Sequence, residues 1–444
     1  MSTTFAPTSK ISTSQPTGSA LPSLRRNVAW TMGGNAIYSA CQWLMLVILA
    51  KLGTTDTVGT FALAIALAGP VVMLANLQLR WVQATDRNGE FEFNDCLTLR
   101  CVCSALAIVV ILGIGLFAGY PAETFLVIAA ITFAKVAESF SDVIYGWYQQ
   151  HERMELISHS LMIRGPISVA AICAGFWLTG SLAAATWSLA IAWTATLLLY
   201  DVPRAIKFRN ETDSPPFQFR RNSQRLRKIF IKSLPVGLTS GVVALEASIP
   251  RFVVESELGT AELGVFAAMA YILMAAYMII QAVNQSALPR LAKYQNEENT
   301  SGFRTVLWNL VGIGIAVGLA LVIGTALLGK PFLYYAYSPE YAQQPGILTA
   351  IMVGCAIMFA FRPAEVALLS MRRFWLLLVL HVAGLPVLIA TTIWLVKLYG
   401  LWGAAYAMIA QAAMHGVVVT VLYAWITRQD LNSKIQNRKS KIQT

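Results

Sequence analysis

Apolar stretches of about 20–25 residues recur along nearly the whole chain, each long enough for a helix to cross a hydrocarbon core of roughly 30 Å. The pattern predicts twelve membrane-spanning helices, at 27–50, 57–79, 97–119, 123–148, 157–179, 181–203, 229–255, 262–288, 303–328, 346–370, 374–396 and 401–427. Two joints are short: Thr179-Gly180-Ser181 between spans five and six, and Met371-Arg372-Arg373 between spans ten and eleven. Residues 1–23, rich in Ser, Thr and Pro, read as a disordered tail. Arg25 and Arg26 then open an apolar run too long for a signal-peptide core, and more spans follow at once. That run reads as a retained first helix.

Composition agrees. The 444 residues are 57% hydrophobic and only 12% charged, against roughly 25% charged in an average soluble domain. The fold class is therefore an all-α polytopic membrane protein. A net charge of +11 would suggest nucleic acid in a soluble protein, but here the bases sit mainly between apolar runs, as the positive-inside rule requires. Lys135, Arg251 and Arg362 fall inside spans, Arg251 near the outer end of its own, and Lys51, Lys330 and Lys397 lie in connections assigned outside. Most other bases lie in the tails, the even-numbered loops or the adjoining helix ends, which puts both chain ends in the cytoplasm.

The halves resemble each other. Leu52-Gly53-Thr54-Thr55-Asp56-Thr57-Val58-Gly59-Thr60-Phe61-Ala62 opens span two, and Leu258-Gly259-Thr260-Ala261-Glu262-Leu263-Gly264-Val265-Phe266-Ala267 opens span eight. Six helices separate the two, an even number, so the halves are parallel repeats about an axis along the membrane normal. The expected organisation is a disordered cytoplasmic tail (1–23), a six-helix lobe (24–203), a basic cytoplasmic linker (204–228), a second six-helix lobe (229–427) and a basic cytoplasmic tail (428–444).

The same repeat places charge at the midplane. Lys135-Val136-Ala137-Glu138 in span four is echoed by Arg362-Pro363-Ala364-Glu365 in span ten. Positions i and i+3 share a helix face, so each base lies beside its acid. Each such group costs about 2.5–3.5 kcal/mol at a helix centre, so four cost about 10–14 kcal/mol, comparable with the stability of a whole domain. They are expected to face one another or a water-filled cavity between the lobes. Arg251 and Arg164 are further candidates for that cavity, with Asp142 and Glu246 as candidate charge-pairing or ion-coupling acids beside Glu138 and Glu365. Glu255 lies one turn from Arg251 and is its expected partner. Arg164 and Arg251 can also be read as snorkelling bases, and His381 and His415 as core or interface histidines.

Other chemistry is excluded. The six cysteines lie mostly in or beside apolar helices, and no second Cys/His pair completes a metal site with Cys101 and Cys103. Gly324-Thr325-Ala326-Leu327-Leu328-Gly329-Lys330-Pro331 nearly spells a phosphate-binding loop but ends in Pro, where Ser or Thr must hold Mg²⁺. No catalytic group, cofactor or metal is expected. The longest outer loop, 329–345, is too small for a polymerase or glycosyltransferase site.

Twelve spans in two lobes, the basic central loop and the repeated Leu-Gly-Thr…Gly-x-Phe-Ala motif resemble the bacterial polysaccharide-unit flippases of the O-antigen translocase (Wzx) type. These belong to the superfamily (MOP) that also holds the MATE exporters and lipid II flippases. Tyr145-Gly146-Trp147-Tyr148-Gln149-Gln150-His151-Glu152-Arg153 and Ala287-Leu288-Pro289-Arg290-Leu291-Ala292 are similar to that family's helix ends. The resemblance covers about residues 24–427. It implies an undecaprenyl-diphosphate-linked oligosaccharide carried across the inner membrane by alternating access, with Lys135, Arg362 and Arg251 meeting its phosphates. It also implies membrane lipids, a polysaccharide polymerase and chain-length or export proteins as partners, and no nucleic acid. The alternative within the superfamily is a MATE-like ion-coupled exporter of small organic molecules.

Overall fold

The structure, a computed structural model, describes residues 24–85, 91–219, 222–297, 299–371 and 373–443. The reading of 1–23 as a disordered tail lies outside the described residues. Among these there is no β-strand, and twelve helices are long and apolar enough to cross a membrane. They are α1 (Leu24–Leu52), α2 (Thr55–Ala84), α3 (Phe93–Phe117), α4 (Ala122–Gln150), α5 (Met154–Thr179) and α6 (Leu182–Glu211), followed by α7 (Ser223–Leu258), α8 (Thr260–Asn296), α9 (Thr300–Ala336), α10 (Pro345–Ser370), α11 (Phe374–Tyr399) and α12 (Leu401–Gln443).

The helices overrun the predicted spans. Helix α7 begins at Ser223, inside the stretch read as linker, and α12 continues to Gln443 through the stretch read as a tail. Helix α9 runs to Ala336, so the rejected phosphate-loop look-alike is helical and about half of the supposed outer loop belongs to the helix. Hydropathy ends where charge begins, but backbone hydrogen bonding does not, and Lys, Arg, Gln and Glu are good helix formers. The breaks themselves are sharp. Gly180 ends α5 at φ 67°, and Ser181 caps α6 by accepting from the Ala184 amide. Helix α2 bends at Leu77 and Gln78, both at positive φ.

The main packing within one lobe has its counterpart six helices later. Helices α1 and α5, α3 and α4, α4 and α6, and α5 and α6 pack as α7 and α11, α9 and α10, α10 and α12, and α11 and α12 do. The lobes meet chiefly through α2, which packs along both α7 and α8, whereas the symmetry-related seam between α1 and α8 is slight. Near Gly59 and Gly264, at what we term the opposite end, α2 and α8 close on each other, and the Thr260 hydroxyl donates to Asp56 at 2.6 Å. Trp43 Nε1 donates to the Tyr337 hydroxyl at 2.9 Å there, and Tyr337 donates on to the Ala268 carbonyl. The basic end holds Arg80, Arg100 and the linker. Helix α6 reaches Glu211, so the connection between lobes is shorter than the 204–228 expected.

Candidate functional site

In the first lobe the Lys135 ammonium lies 2.8 Å from Glu138 Oε2, one turn along α4. The Tyr38 hydroxyl of α1 donates to Glu138 Oε1 at 2.7 Å, and the Trp193 ring of α6 lies 5.3 Å from the ammonium. Phe133, on the far side of α4, is exposed instead. Tyr271 of α8, from the second lobe, stands within electrostatic reach of Lys135, Glu138 and Arg251.

In the second lobe Arg362 Nη1 lies 2.6 Å from Glu365 Oε2, and Arg362 Nη2 donates to the Tyr277 hydroxyl of α8 at 3.1 Å. Glu365 Oε1 lies 2.7 Å from Nε2 of His415 on α12. The His415 ring stacks on His381 of α11, with centroids 4.7 Å apart and planes at 27°. His381 Nδ1 is 3.0 Å from Glu246 Oε2 on α7. Four helices thus contribute to one charged cluster. Reading the two histidines singly as core groups overlooked it, because their partners come from helices distant in sequence. The one available signal was the offset: His381 and His415 lie near the level of Glu365 on their own spans.

The two pairs do not meet. Each ion pair closes within its own lobe, and α8 is the common neighbour, with Tyr271 toward Lys135 and Tyr277 on Arg362. Arg251 is different from both. Among the described residues no acid pairs with it, the expected bond to Glu255 is not formed, and its buried Nε lacks a hydrogen-bond partner. Tyr271 is its near polar neighbour.

Two further expected cavity residues have ion-pair partners of their own. Arg164 is fully buried and pairs with Asp201 at 2.9 Å. It also bonds Ser141, while Ser141 and Ser160 donate to the same carboxylate. It does not snorkel, and it stays beside the Lys135 pair: its guanidinium lies 5.8 Å from the Trp193 ring that Lys135 also faces. Asp201 went unrecognised because hydropathy put it at the end of span six, whereas α6 continues ten residues further through a π turn at Leu197–Asp201. Asp142 lies one turn beyond Glu138 but turns to Arg80 at 3.4 Å and Arg100 at 3.7 Å. That trio braces the basic end of the first lobe. Arg100, predicted near the start of span three, is fully buried because α3 begins at Phe93.

Two lobes of six helices in parallel repeat, with a base–acid pair on α4 and another on α10, make up a fold shared with solved MOP superfamily transporters. An inward-facing MATE transporter of that superfamily superposes with a TM-score of 0.67 at 14% identity, covering 89% of this chain and 97% of that one. A MOP superfamily transporter from Pyrococcus furiosus gives 0.65 at 15% identity, covering 89% and 93%. The profile of the polysaccharide biosynthesis protein family matches residues 24–295, and the chain belongs to that family. Its relative in Staphylococcus aureus, the capsular polysaccharide biosynthesis protein CapF, is 25% identical over 330 residues, 74% of this chain and 81% of CapF. The chain is thus a multi-pass membrane protein of the polysaccharide biosynthesis family, with the fold of these solved transporters.

Proposed function

We propose that the chain is a flippase that moves an undecaprenyl-diphosphate-linked oligosaccharide from the cytoplasmic to the periplasmic leaflet of a bacterial inner membrane. The observation that carries this reading is Arg251, a cation at the lobe boundary with no acid of its own, set beside Tyr271 and, through it, Lys135. A half-buried cation whose buried Nε lacks a partner gains from an anion, and a diphosphate offers several oxygens for charge-assisted hydrogen bonds. Arg362 would grip phosphate or an acidic sugar as a planar fork, Lys135 as a point charge. Glu138 and Glu365 hold those bases charged between cargoes, and Glu246 with Glu365 supplies acids that exchange a proton or cation for coupling.

Positive charge at the basic end supports a cytoplasmic position for it, and in this reading both chain ends lie there. The α2–α8 closure then seals the periplasmic side, so this state takes cargo from the cytoplasm. The slight α1–α8 seam gives a polyprenyl tail a side exit into lipid while its headgroup sits between the lobes. A MATE-like exporter of organic cations calls for acids free to bind them, but Glu138 and Glu365 are each matched by a base. Polymerase and chain-length proteins would receive the product.

The test is translocation of a labelled undecaprenyl-diphosphate oligosaccharide in proteoliposomes, at matched insertion. Flux in the wild type that falls in Arg251→Ala and Lys135→Ala supports the site. Flux that survives both moves the site elsewhere, and an absence of wild-type flux overturns the cargo.

A further inference from the structure

We propose that Glu365, His381 and His415 bind a transition-metal dication of the zinc class within the second lobe, a property independent of which cargo is carried. One ligand atom from each of the three lies within 4.8 Å of the others. Each comes from a different helix, α10, α11 or α12, so the fold rather than a flexible loop sets the spacing. Zinc bonds of about 2.0–2.1 Å in tetrahedral geometry place ligands roughly 3.4 Å apart, a distance that small side-chain rotations reach from here.

The surroundings are those of a metal site. Histidine ligands ordinarily give their second ring nitrogen to a carboxylate, which fixes tautomer and ring orientation. Glu246 does this for His381, accepting at Nδ1 from 3.0 Å and leaving Nε2 free to ligate. Arg362 holds Glu365 by Oε2 at 2.6 Å, which leaves Oε1 for the ion. That oxygen lies 2.7 Å from His415 Nε2; a metal between them replaces that hydrogen bond, and neutral His415 then carries its proton on Nδ1. With neutral imidazoles the two glutamates and Arg362 sum to one negative charge, so the cluster attracts a cation. Two nitrogens and one oxygen suit zinc-class ions; an all-oxygen set would suit magnesium or calcium. Three protein ligands leave a fourth position open. Glu365 and His381 are nearly buried, while His415 keeps 23% of its side-chain surface accessible, which gives the ion a way in.

The experiment is zinc titration of the purified full-length protein in detergent, without cargo, with bound metal counted after gel filtration. The expected result is one Zn²⁺ per chain. His381→Gln and His415→Gln should each lose that ion, and Glu246→Gln should weaken it by about 10–100-fold, as removal of an orienting carboxylate does. The chain's remaining histidines are His151 and His159, and a His151→Ala/His159→Ala variant should bind as the wild type does. Cobalt added to the wild type should give the visible bands of four-coordinate nitrogen and oxygen ligation, a readout that needs no variant to fold. Zinc that is absent from the wild type, or lost only with His151 and His159, overturns the site. Lys135→Ala should keep zinc while losing flux, which separates this proposal from the flippase reading.

Discussion

Gly59 and Gly264 hold the same place in the two sequence repeats, and they meet each other across the lobe boundary. A Cβ on Gly59 would fall 1.8 Å from the Thr260 carbonyl oxygen, and one on Gly264 would fall 2.0 Å from that of Thr55. Those are backbone atoms and cannot swing aside. Gly59→Ala should therefore force the ends of α2 and α8 apart and shift the protein away from the state closed at this end. A disulfide between Cys replacements at Asp56 and Thr260 reports the shift. It should form readily in an otherwise wild-type chain and fall severalfold in Gly59→Ala. Unchanged cross-linking would mean that the contact does not control the gate.

Arg164 and Arg251 should separate stability from function. Removing Arg164 leaves Asp201 buried without its counter-ion, a loss of about 3–5 kcal/mol. Arg164→Met should lower the thermal midpoint in detergent markedly, and Asp201→Leu added to it should restore much of the loss. Arg251→Ala strands no partner, so its midpoint should stay near that of the wild type. Its flux should instead fall about 10–100-fold, the worth of charged hydrogen bonds of about 1.5–3 kcal/mol.

Legibility followed sequence distance. Twelve spans, the joint at Gly180 and the repeat were readable because each is written in contiguous residues. Lys135–Glu138 and Arg362–Glu365 were readable for the same reason, since i,i+3 spacing needs only one helix. The partners of Arg164 and His381 were not, because Asp201 lies 37 residues from the one and Glu246 lies 135 from the other. Only packing decides such pairs. Helix ends were missed wherever polar residues good at forming helices extend a span into water, as at Ser223 and beyond residue 428.

Gly314 should show the reverse of ordinary helix propensity. Pro363 lacks the amide that would bond the Phe359 carbonyl, and Gly314 of α9 presses against that carbonyl, with a Cβ there falling 2.3 Å from the oxygen. Gly to Ala in a helix interior normally gains about 1 kcal/mol. Here Gly314→Ala should lower the thermal midpoint, because α9 must retreat from α10. Gly324, with open space around its Cβ position, is the control: Gly324→Ala should be neutral or stabilising.

The Asn94 side chain fastens the link between the lobes to the first lobe. Asn94 is buried; its amide donates to the Pro216 carbonyl at 2.9 Å, and its oxygen accepts from the Gln218 amide at 3.2 Å. Phe217, held between those two bonds, packs 5.0 Å from Phe93 and 6.1 Å from Trp147, part of the Tyr145-Gly146-Trp147-Tyr148 motif that sequence alone showed only as a helix end. Asn94→Ala removes both hydrogen bonds, about 2 kcal/mol of local stability at roughly 1 kcal/mol each. Trypsin has sites at Arg220 and Arg221 in this stretch. Where cleavage follows the population of the opened form, that loss should speed nicking of the folded protein by about 30-fold, with the thermal midpoint little changed. Phe217→Ala should act in the same direction. If both variants are nicked no faster than the wild type, Asn94 is not what holds the linker, and the aromatic cluster around Phe208 is the next place to look.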